Sequence, residues 1–119
     1  MKTKPVFDGV GIDCVEIKRF KSMARKALQK IFTTKELAYC VSRLNPAQHL
    51  AGKFAAKEAV IKAFGSGKKL GLAEIEIIND QRGMPIAIIG SGKRKCLVSI
   101  SHAGNMAIAV AFAGGSVDA

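Results

Sequence analysis

Hydrophobic and polar positions divide the chain into a first half with helical spacing and a second half with strand-like alternation. The clearest helical stripe is formed by Leu50, Phe54, Ile61 and Phe64, whose spacing matches one face of an α-helix. Pro46 suits the first turn of this helix and Gly65 its C-terminal end, so we predict one long helix between them. Its stripe is interrupted by Lys57, and a core helix tolerates a buried ammonium only where other groups satisfy it.

Two shorter helices and a strand are predicted before the long helix. Residues 15–31 carry a second apolar stripe at helical spacing, formed by Ile17, Phe20, Ala24, Ala27, Leu28 and Ile31. Thr33 and Glu36 have the spacing of a capping box, which predicts a short helix from Thr33 to about Arg43. Residues 6–12 are predicted to form a short strand that delivers Asp13 at its end.

The second half predicts an antiparallel meander. Strands are expected at residues 73–78, 86–89, 97–102 and 106–113,. In the last of these, large apolar residues face one side and alanines the other. Because alanines make a poor solvent face, we expect them to pack closely against a helix or another subunit. Helices from the first half packed on an antiparallel sheet from the second half define an α+β fold, in a single domain spanning residues 1–119.

Charge is the strongest compositional signal. Nineteen Lys and Arg residues against nine Asp and Glu residues give a net charge of +10, which implies an anionic partner: nucleic acid, a phosphorylated small molecule or an acidic protein. Cations crowd the polar face of the predicted 15–31 helix, at Lys18, Arg19, Lys21, Arg25, Lys26 and Lys30. Aromatic residues make up only 6% of the chain, which disfavours binding of single-stranded nucleic acid. A small basic RNA-binding α+β domain remains the alternative from another class.

The cysteines and the termini indicate a compartment. Three widely spaced cysteines without a C-x-x-C pair fit neither a disulfide framework nor a zinc site. No secretory signal is recognisable, and no apolar run is long enough to span a bilayer. We therefore expect a cytoplasmic protein with no membrane partner.

Two carboxylates occupy positions that would suit apolar residues. Asp13 ends the first strand, and Glu58 lies beside the apolar stripe of the long helix. Together they could hold Mg²⁺, which takes one or two protein carboxylates and completes its shell with water and phosphate oxygens. The structural alternatives are that Asp13 caps a helix and that Glu58 pairs with Lys62 one turn later.

Two other features are candidates for ligand binding. The loop Gly65-Ser66-Gly67 follows the charged end of the long helix; it lacks the Walker A pattern, but backbone N–H groups in such turns can still bind anions. Ser101 and His102 end the third predicted strand, and strand alternation points them to opposite faces, which excludes a Ser-His dyad. His102 is either a phosphate hydrogen-bond donor or a structural residue.

Three segments together resemble the holo-acyl-carrier-protein synthases, the small 4′-phosphopantetheinyl transferases. Residues 11–20 resemble the opening motif G-(I/V)-D-x-x-x-x-x-R, and residues 54–63 resemble the helix F-x-x-K-E-A-x-x-K-A. Residues 99–102 resemble the strand S-(I/L)-S-H. Order and spacing agree over nearly the whole chain. The sequence departs from the family pattern at Lys53, where arginine is usual, and at Cys14, where an aliphatic residue is usual.

The resemblance implies an Mg²⁺-dependent transferase of fatty acid biosynthesis. It would move the 4′-phosphopantetheine group from coenzyme A to a serine of apo-acyl-carrier protein, releasing adenosine 3′,5′-bisphosphate. Asp13 and Glu58 would hold the metal, with Glu58 and Lys62 as the catalytic pair. The coenzyme would be bound by Lys53, Lys57, Gly65, Ser66, Gly67, Ser101 and His102.

The resemblance also implies partners. The acidic acyl-carrier protein would dock on Arg19, Lys18, Lys21 and Arg25, and the chain would form a homotrimer with sites between subunits. No nucleic acid is expected, because two carboxylates among the cations would repel phosphates unless a metal joined them.

Overall fold

In the part of the chain that the structure describes, residues 8–65, 70–90 and 94–114 of a computed structural model, three helices lie on a five-stranded antiparallel sheet. The strands are β1 (Gly9–Glu16), β2 (Ile75–Asn79), β3 (Pro85–Ile89), β4 (Arg94–Ala103) and β5 (Met106–Ala113). The helices are α1 (Arg25–Ile31), α2 (Thr34–Val41) and α3 (Pro46–Phe64), and short 3₁₀ turns occupy Ile17–Phe20 and Leu72–Glu74. The predicted α+β class is confirmed.

The sheet has the order β1-β5-β4-β3-β2, so β1 and β2 form its opposite edges. One edge strand therefore comes from the first half of the chain, and only the other four come from the second half. β1 pairs with β5 along its whole length, which sets Asp13 opposite Ala109. Asp13 thus lies inside a strand and not at its end, and the prediction that it could cap a helix is wrong.

The long helix α3 covers the inner face of the sheet. It begins at Pro46 and ends before Gly65, as predicted; Gly65 has φ +83°, a backbone conformation that glycine adopts without strain,. The alanines of β5 face α3 and are at most 2% exposed, so the expected close packing is against a helix of the same chain.

Glycine allows β1 to approach α3 unusually closely. A Cβ atom added to Gly11 would collide with the carbonyl oxygen of Ala59, and one added to Gly9 with that of Ala63. Both positions therefore need glycine. The consequence is that the side chains of Asp13 and of the C-terminal half of α3 meet at the sheet edge.

The prediction of a helix at residues 15–31 is wrong for the first half of that range. β1 continues to Glu16, whose neighbour Ile17 donates its N–H to the carbonyl of Asn105 at 2.9 Å. Strand pairing thus overrides the local helical pattern. The 3₁₀ turn then carries Phe20 into the core, where its ring centroid lies 5.4 Å from that of Phe54. Only Arg25–Ile31 is α-helical.

The capping box is confirmed, and the later strands begin close to the predicted positions. Thr33 Oγ1 accepts the N–H of Glu36 at 3.2 Å, and Glu36 Oε1 accepts the N–H of Thr33 at 2.8 Å. β2 begins at Ile75, because residues 72–74 form the second 3₁₀ turn.

The outer face of the sheet exposes large apolar side chains. Val10 is 59% exposed, Ile12 62% and Leu97 60%. β-strand register places Val10 beside Phe112 and Phe112 beside Leu97, so the exposed residues are contiguous. Single exposed apolar residues are ordinary on protein surfaces, whereas a contiguous patch marks a contact surface.

None of the helices in the described ranges is long and apolar enough to cross a membrane.

The cysteines are unpaired, as predicted: Cys14 is exposed, and Cys40 and Cys96 are buried. Burial raises the pKa of each of the two buried thiols to about 11.

Candidate active site

Asp13 and Lys62 form a direct ion pair between β1 and α3. Lys62 Nζ lies 3.1 Å from Asp13 Oδ1 and donates to the carbonyl of Ile12 at 3.0 Å. The Lys62 side chain is 54% exposed, so its ammonium remains accessible to a ligand. An adjoining cavity of about 330 Å³ is lined by Ile12, Asp13, Cys14, Lys62 and Ile108.

Glu58 lies one helical turn before Lys62 and is half-buried. Its carboxylate has neither a hydrogen bond nor an ion pair with any residue that the structure describes. The predicted alternative, an ion pair with Lys62, is therefore wrong, since Lys62 pairs with Asp13. Within the described ranges, both carboxylate oxygens of Glu58 are left for a ligand.

The residues present fit a magnesium ion. Asp13 and Glu58 supply hard carboxylate oxygens from two elements that the β1 glycines hold in close contact. Within the described ranges no three His, Cys, Asp or Glu side chains cluster, so a metal here would rely on two protein carboxylates. Magnesium accepts that arrangement when phosphate oxygens and water complete its shell.

Lys57 lies at the centre of a buried polar network. Its side chain is completely buried, and Nζ lies 2.7 Å from Glu36 Oε1. Nζ also lies within 2.9 Å of three backbone carbonyl oxygens, those of Ile31, Leu72 and Ile75. Burial lowers the pKa of Lys57, and the Glu36 carboxylate opposes that shift.

This network accounts for the interruption in the apolar stripe of α3. Four acceptors surround three ammonium protons, which leaves no N–H of Lys57 for a coenzyme, so the geometry does not favour the predicted binding role. Glu36 was not predicted from the sequence as the partner of Lys57. The sequence feature that could have identified Glu36 is the capping box, which holds this residue at the start of α2. Glu36 Oε2 also accepts the N–H of Ile77 at 2.6 Å.

A second cluster lies toward the opposite edge of the sheet. Lys53 is only 4% exposed, and its Nζ donates to the carbonyl of Ile77 at 2.7 Å and to Asn79 Oδ1 at 3.0 Å. Burial lowers the pKa of Lys53. Lys53 Nζ and the Arg43 guanidinium lie 4.6 and 4.7 Å from the ring centroid of Tyr39. The Tyr39 ring thus makes cation–π contacts with two side chains.

Two adjoining cavities, of about 390 and 210 Å³, share Tyr39, Lys53, Asn79 and Gly83. We call them together the Tyr39 groove. His102 lines the smaller one, with Nε2 3.1 Å from the carbonyl oxygen of Gln48. A Cβ at Gly52 would lie 3.3 Å from His102 Nε2, so glycine makes room for the imidazole. The groove residues Tyr39, Arg43 and His49 were not predicted from the sequence.

The other predicted ligand residues are scattered. Ser101 is exposed on the outer face of β4 and His102 lies on the inner side, as the alternation predicts. Gly65 is exposed at the end of α3, and Ser66 and Gly67 lie outside the described residues. The chain therefore separates the Asp13–Glu58–Lys62 cluster at the β1 edge from Lys53 and His102 in the Tyr39 groove.

The basic residues predicted to share one helix lie on the surface of two elements. Lys18 and Arg19 belong to the first 3₁₀ turn, Lys21 follows it, and Arg25 begins α1. All four are exposed. The Arg19 guanidinium lies 5.2 Å from the ring centroid of Phe54, a cation–π contact that fixes its orientation.

Comparisons with known proteins show the family of the chain. The family model of the 4′-phosphopantetheinyl transferase superfamily matches residues 9–113. A holo-acyl-carrier-protein synthase of Protochlamydia amoebophila is 42% identical over 115 residues, covering 87% of this chain and 94% of the relative. The corresponding protein of Chlamydia trachomatis serovar D is 45% identical over 116 residues, with 88% and 98% coverage.

A solved structure has the same fold. The holo-(acyl-carrier-protein) synthase of Bacillus anthracis str. Ames, in complex with CoA (3′,5′-ADP), superposes with a TM-score of 0.78 at 36% identity, covering 91% of this chain and 96% of that one. The chain therefore belongs to the 4′-phosphopantetheinyl transferase superfamily. Within that class it falls among the holo-acyl-carrier-protein synthases.

Proposed function

We propose that this protein transfers the 4′-phosphopantetheine group of coenzyme A to a serine of apo-acyl-carrier protein, releasing adenosine 3′,5′-bisphosphate. The product, holo-acyl-carrier protein, serves fatty acid biosynthesis. The proposal rests on one observation: the Lys62–Asp13 contact lies beside a Glu58 carboxylate that has no partner in the described residues. The relatives and the solved structure carry the same activity in their names.

The chemistry needs charge neutralisation and positioning, without a protein nucleophile. The carrier serine oxygen attacks the phosphorus next to the pantetheine arm, and the P–O bond to the nucleotide breaks. Glu58 accepts the serine proton, and the accessible Lys62 ammonium neutralises charge on the phosphate under attack. Magnesium, held by Asp13 and Glu58, would supply further neutralisation of the pyrophosphate oxygens.

We propose that the carrier protein docks on the exposed cations Lys18, Arg19, Lys21 and Arg25. An acidic helix complements this surface, and complementary charge increases the rate of encounter. The net charge of +10 supports an acidic partner. It would also suit RNA, but an RNA site does not account for the carboxylates of Asp13 and Glu58.

The coenzyme pocket is proposed to include Lys53 and His102, with the loop of Gly65, Ser66 and Gly67 near the phosphates. Since one chain places the Tyr39 groove and the Asp13 cluster toward opposite edges of the sheet, each coenzyme would contact two copies of the chain. The exposed apolar patch on the outer sheet face supports such an assembly, which we propose to be a homotrimer.

Residues 1–119 would act as one domain in the cytoplasm, consistent with three free cysteines,.

A shared site predicts complementation between inactive variants. Asp13→Ala disables one cluster, and Arg43→Glu combined with His102→Ala disables the Tyr39 groove, so each variant alone should be inactive. Random co-assembly in a closed ring should restore about a quarter of wild-type activity, because half of the clusters and half of the grooves are intact. The measurement is the turnover of co-expressed, co-purified variants.

The matched control mixes Asp13→Ala with Lys62→Ala. Both residues belong to the same cluster of one chain, so this mixture should stay inactive. Equal recovery in both mixtures, or no recovery in a verified hetero-oligomer of the first pair, would rule out a site shared between copies.

Removal of the metal tests the proposed reaction. With coenzyme A, apo-acyl-carrier protein and Mg²⁺, chromatography should show adenosine 3′,5′-bisphosphate accumulating as carrier protein is consumed. A chelator should stop its release, and added Mg²⁺ should restore it. If release of adenosine 3′,5′-bisphosphate is undiminished in the chelator, the reaction does not need the metal.

RNA binding that weakens with salt and is unaffected by Asp13→Ala would favour the RNA-binding alternative.

A further inference from the structure

His49 lies in the first turns of α3, beside the Tyr39 groove. Its ring meets the ring of Tyr39 edge-on, with centroids 6.0 Å apart and an interplanar angle of 82°. It lines the smaller cavity of about 210 Å³ together with Lys53 and His102. Among the described residues, neither ring nitrogen of His49 has a hydrogen-bond partner. The imidazole therefore has polar atoms available beside a cavity.

Among the described residues, every charged neighbour that shifts the pKa of His49 is cationic or becomes so on protonation. Burial lowers the pKa of His49, and Arg43 from the connection between α2 and α3, His102 from β4 and Lys53 from α3 lower it further. No carboxylate is among the described residues that line the smaller cavity. The free groove thus disfavours the protonated form of His49.

The nearest carboxylates have partners elsewhere. Asp80 lies on the rim of the larger cavity, where its carboxylate accepts the N–H groups of Arg82 and Met84. Glu36 pairs with Lys57, and Glu76 accepts the hydroxyl of Thr33. Among the described residues, none of these acids forms an ion pair with Lys53 or Arg43, although Glu36 and Glu76 raise the pKa of Lys53 against the effect of burial. A groove with unpaired cations in its described lining suits an anionic ligand.

We propose that His49 binds a phosphate group of the ligand in the Tyr39 groove and takes up one proton from solvent as the ligand binds. This inference rests on the proposed function, which identifies the ligand as coenzyme A. The proton adds to a ring nitrogen, and no covalent bond to the ligand forms. His49 would then act as a hydrogen-bond donor whose charge matches the phosphate.

Proton uptake and binding are reciprocal. If the bound phosphate raises the pKa of His49 by about one unit, the ligand binds about tenfold more tightly below the pKa of the free protein than above the pKa of the complex. Affinity for coenzyme A should therefore fall as pH rises. A histidine that only packs on Tyr39 would give neither effect.

The chain contains only two histidines, which makes the measurement direct. Imidazole proton resonances are followed by NMR from pH 5 to pH 9 in the free wild-type protein and with saturating coenzyme A. His102→Asn and His49→Phe assign the two signals, and phenylalanine keeps an aromatic ring against Tyr39. Calorimetry across the same pH range gives the affinity of each variant.

We expect the pKa of His49 to rise by about one unit on binding, and the decline of affinity with pH to become shallower in His49→Phe. Coenzyme A binding that leaves the pKa of His49 unchanged, or an equally steep pH dependence in His49→Phe, would overturn this inference alone. Absence of coenzyme A binding at every pH would overturn both this inference and the proposed function.

Discussion

Glu58→Gln is expected to reduce the kcat of phosphopantetheine transfer by about 10²–10⁴-fold, the range typical for loss of a general base. Glutamine keeps the shape of the side chain but accepts no proton and is a poor ligand for magnesium. Since Glu58 has no hydrogen bond or ion pair among the described residues, the substitution removes no such interaction within that part of the chain, and the thermal midpoint should stay unchanged. Steady-state kinetics and a thermal melt measure both quantities on one preparation.

Glu16→Gln is the matched control for this variant. Glu16 ends β1 and is exposed, and among the described residues its carboxylate has only a 3.7 Å ion pair with Lys18, so the same change of charge occurs away from the proposed chemistry. Turnover should remain at the wild-type level. Normal turnover in Glu58→Gln would show that Glu58 neither holds the metal nor accepts the proton. A lowered thermal midpoint in Glu58→Gln would show that Glu58 has a structural role.

Lys57→Met is expected to lower the free energy of unfolding by about 3–5 kcal/mol, as when one partner of a buried ion pair is removed. Methionine fills a similar volume, but the Glu36 carboxylate stays buried without its cation. The carbonyls of Ile31, Leu72 and Ile75 also lose a donor. Urea denaturation followed by circular dichroism measures the change.

The double variant Glu36→Gln with Lys57→Met separates the ion pair from the packing. It should be more stable than Lys57→Met alone, because no uncompensated charge remains buried. Lys26→Met, on the exposed surface of α1, should change the unfolding free energy by no more than about 0.5 kcal/mol. A wild-type denaturation midpoint in Lys57→Met would contradict the structural role that the network assigns to this lysine.

The fold was predictable where local pattern and tertiary environment agree. The limits of α3, the capping box at Thr33 and the strand Met106–Ala113 follow from residues that act on their immediate neighbours. Residues 15–20 could not be predicted in the same way. Their helical spacing competes with the pairing of β1 on β5, a contact about 90 residues away along the chain, and the longer-range contact prevails.

The candidate site shows the same division. Asp13, Glu58 and Lys62 attract notice because charges there interrupt apolar patterns, and the structure brings Asp13 and Lys62 into contact. Neither the pairing of Lys57 with Glu36 nor the Tyr39 groove could be predicted. Each is built from elements whose packing no local pattern specifies, and His49 reads in sequence as an ordinary polar residue of a helix.

Intact-mass spectrometry of the carrier protein tests the central claim most directly. Purified apo-acyl-carrier protein is incubated with this protein, coenzyme A and Mg²⁺, beside a carrier whose acceptor serine is replaced by alanine. The intact carrier should gain the mass of one phosphopantetheine group, and the alanine variant should gain none. An unmodified carrier protein, with the enzyme folded and the metal present, would contradict the proposed function.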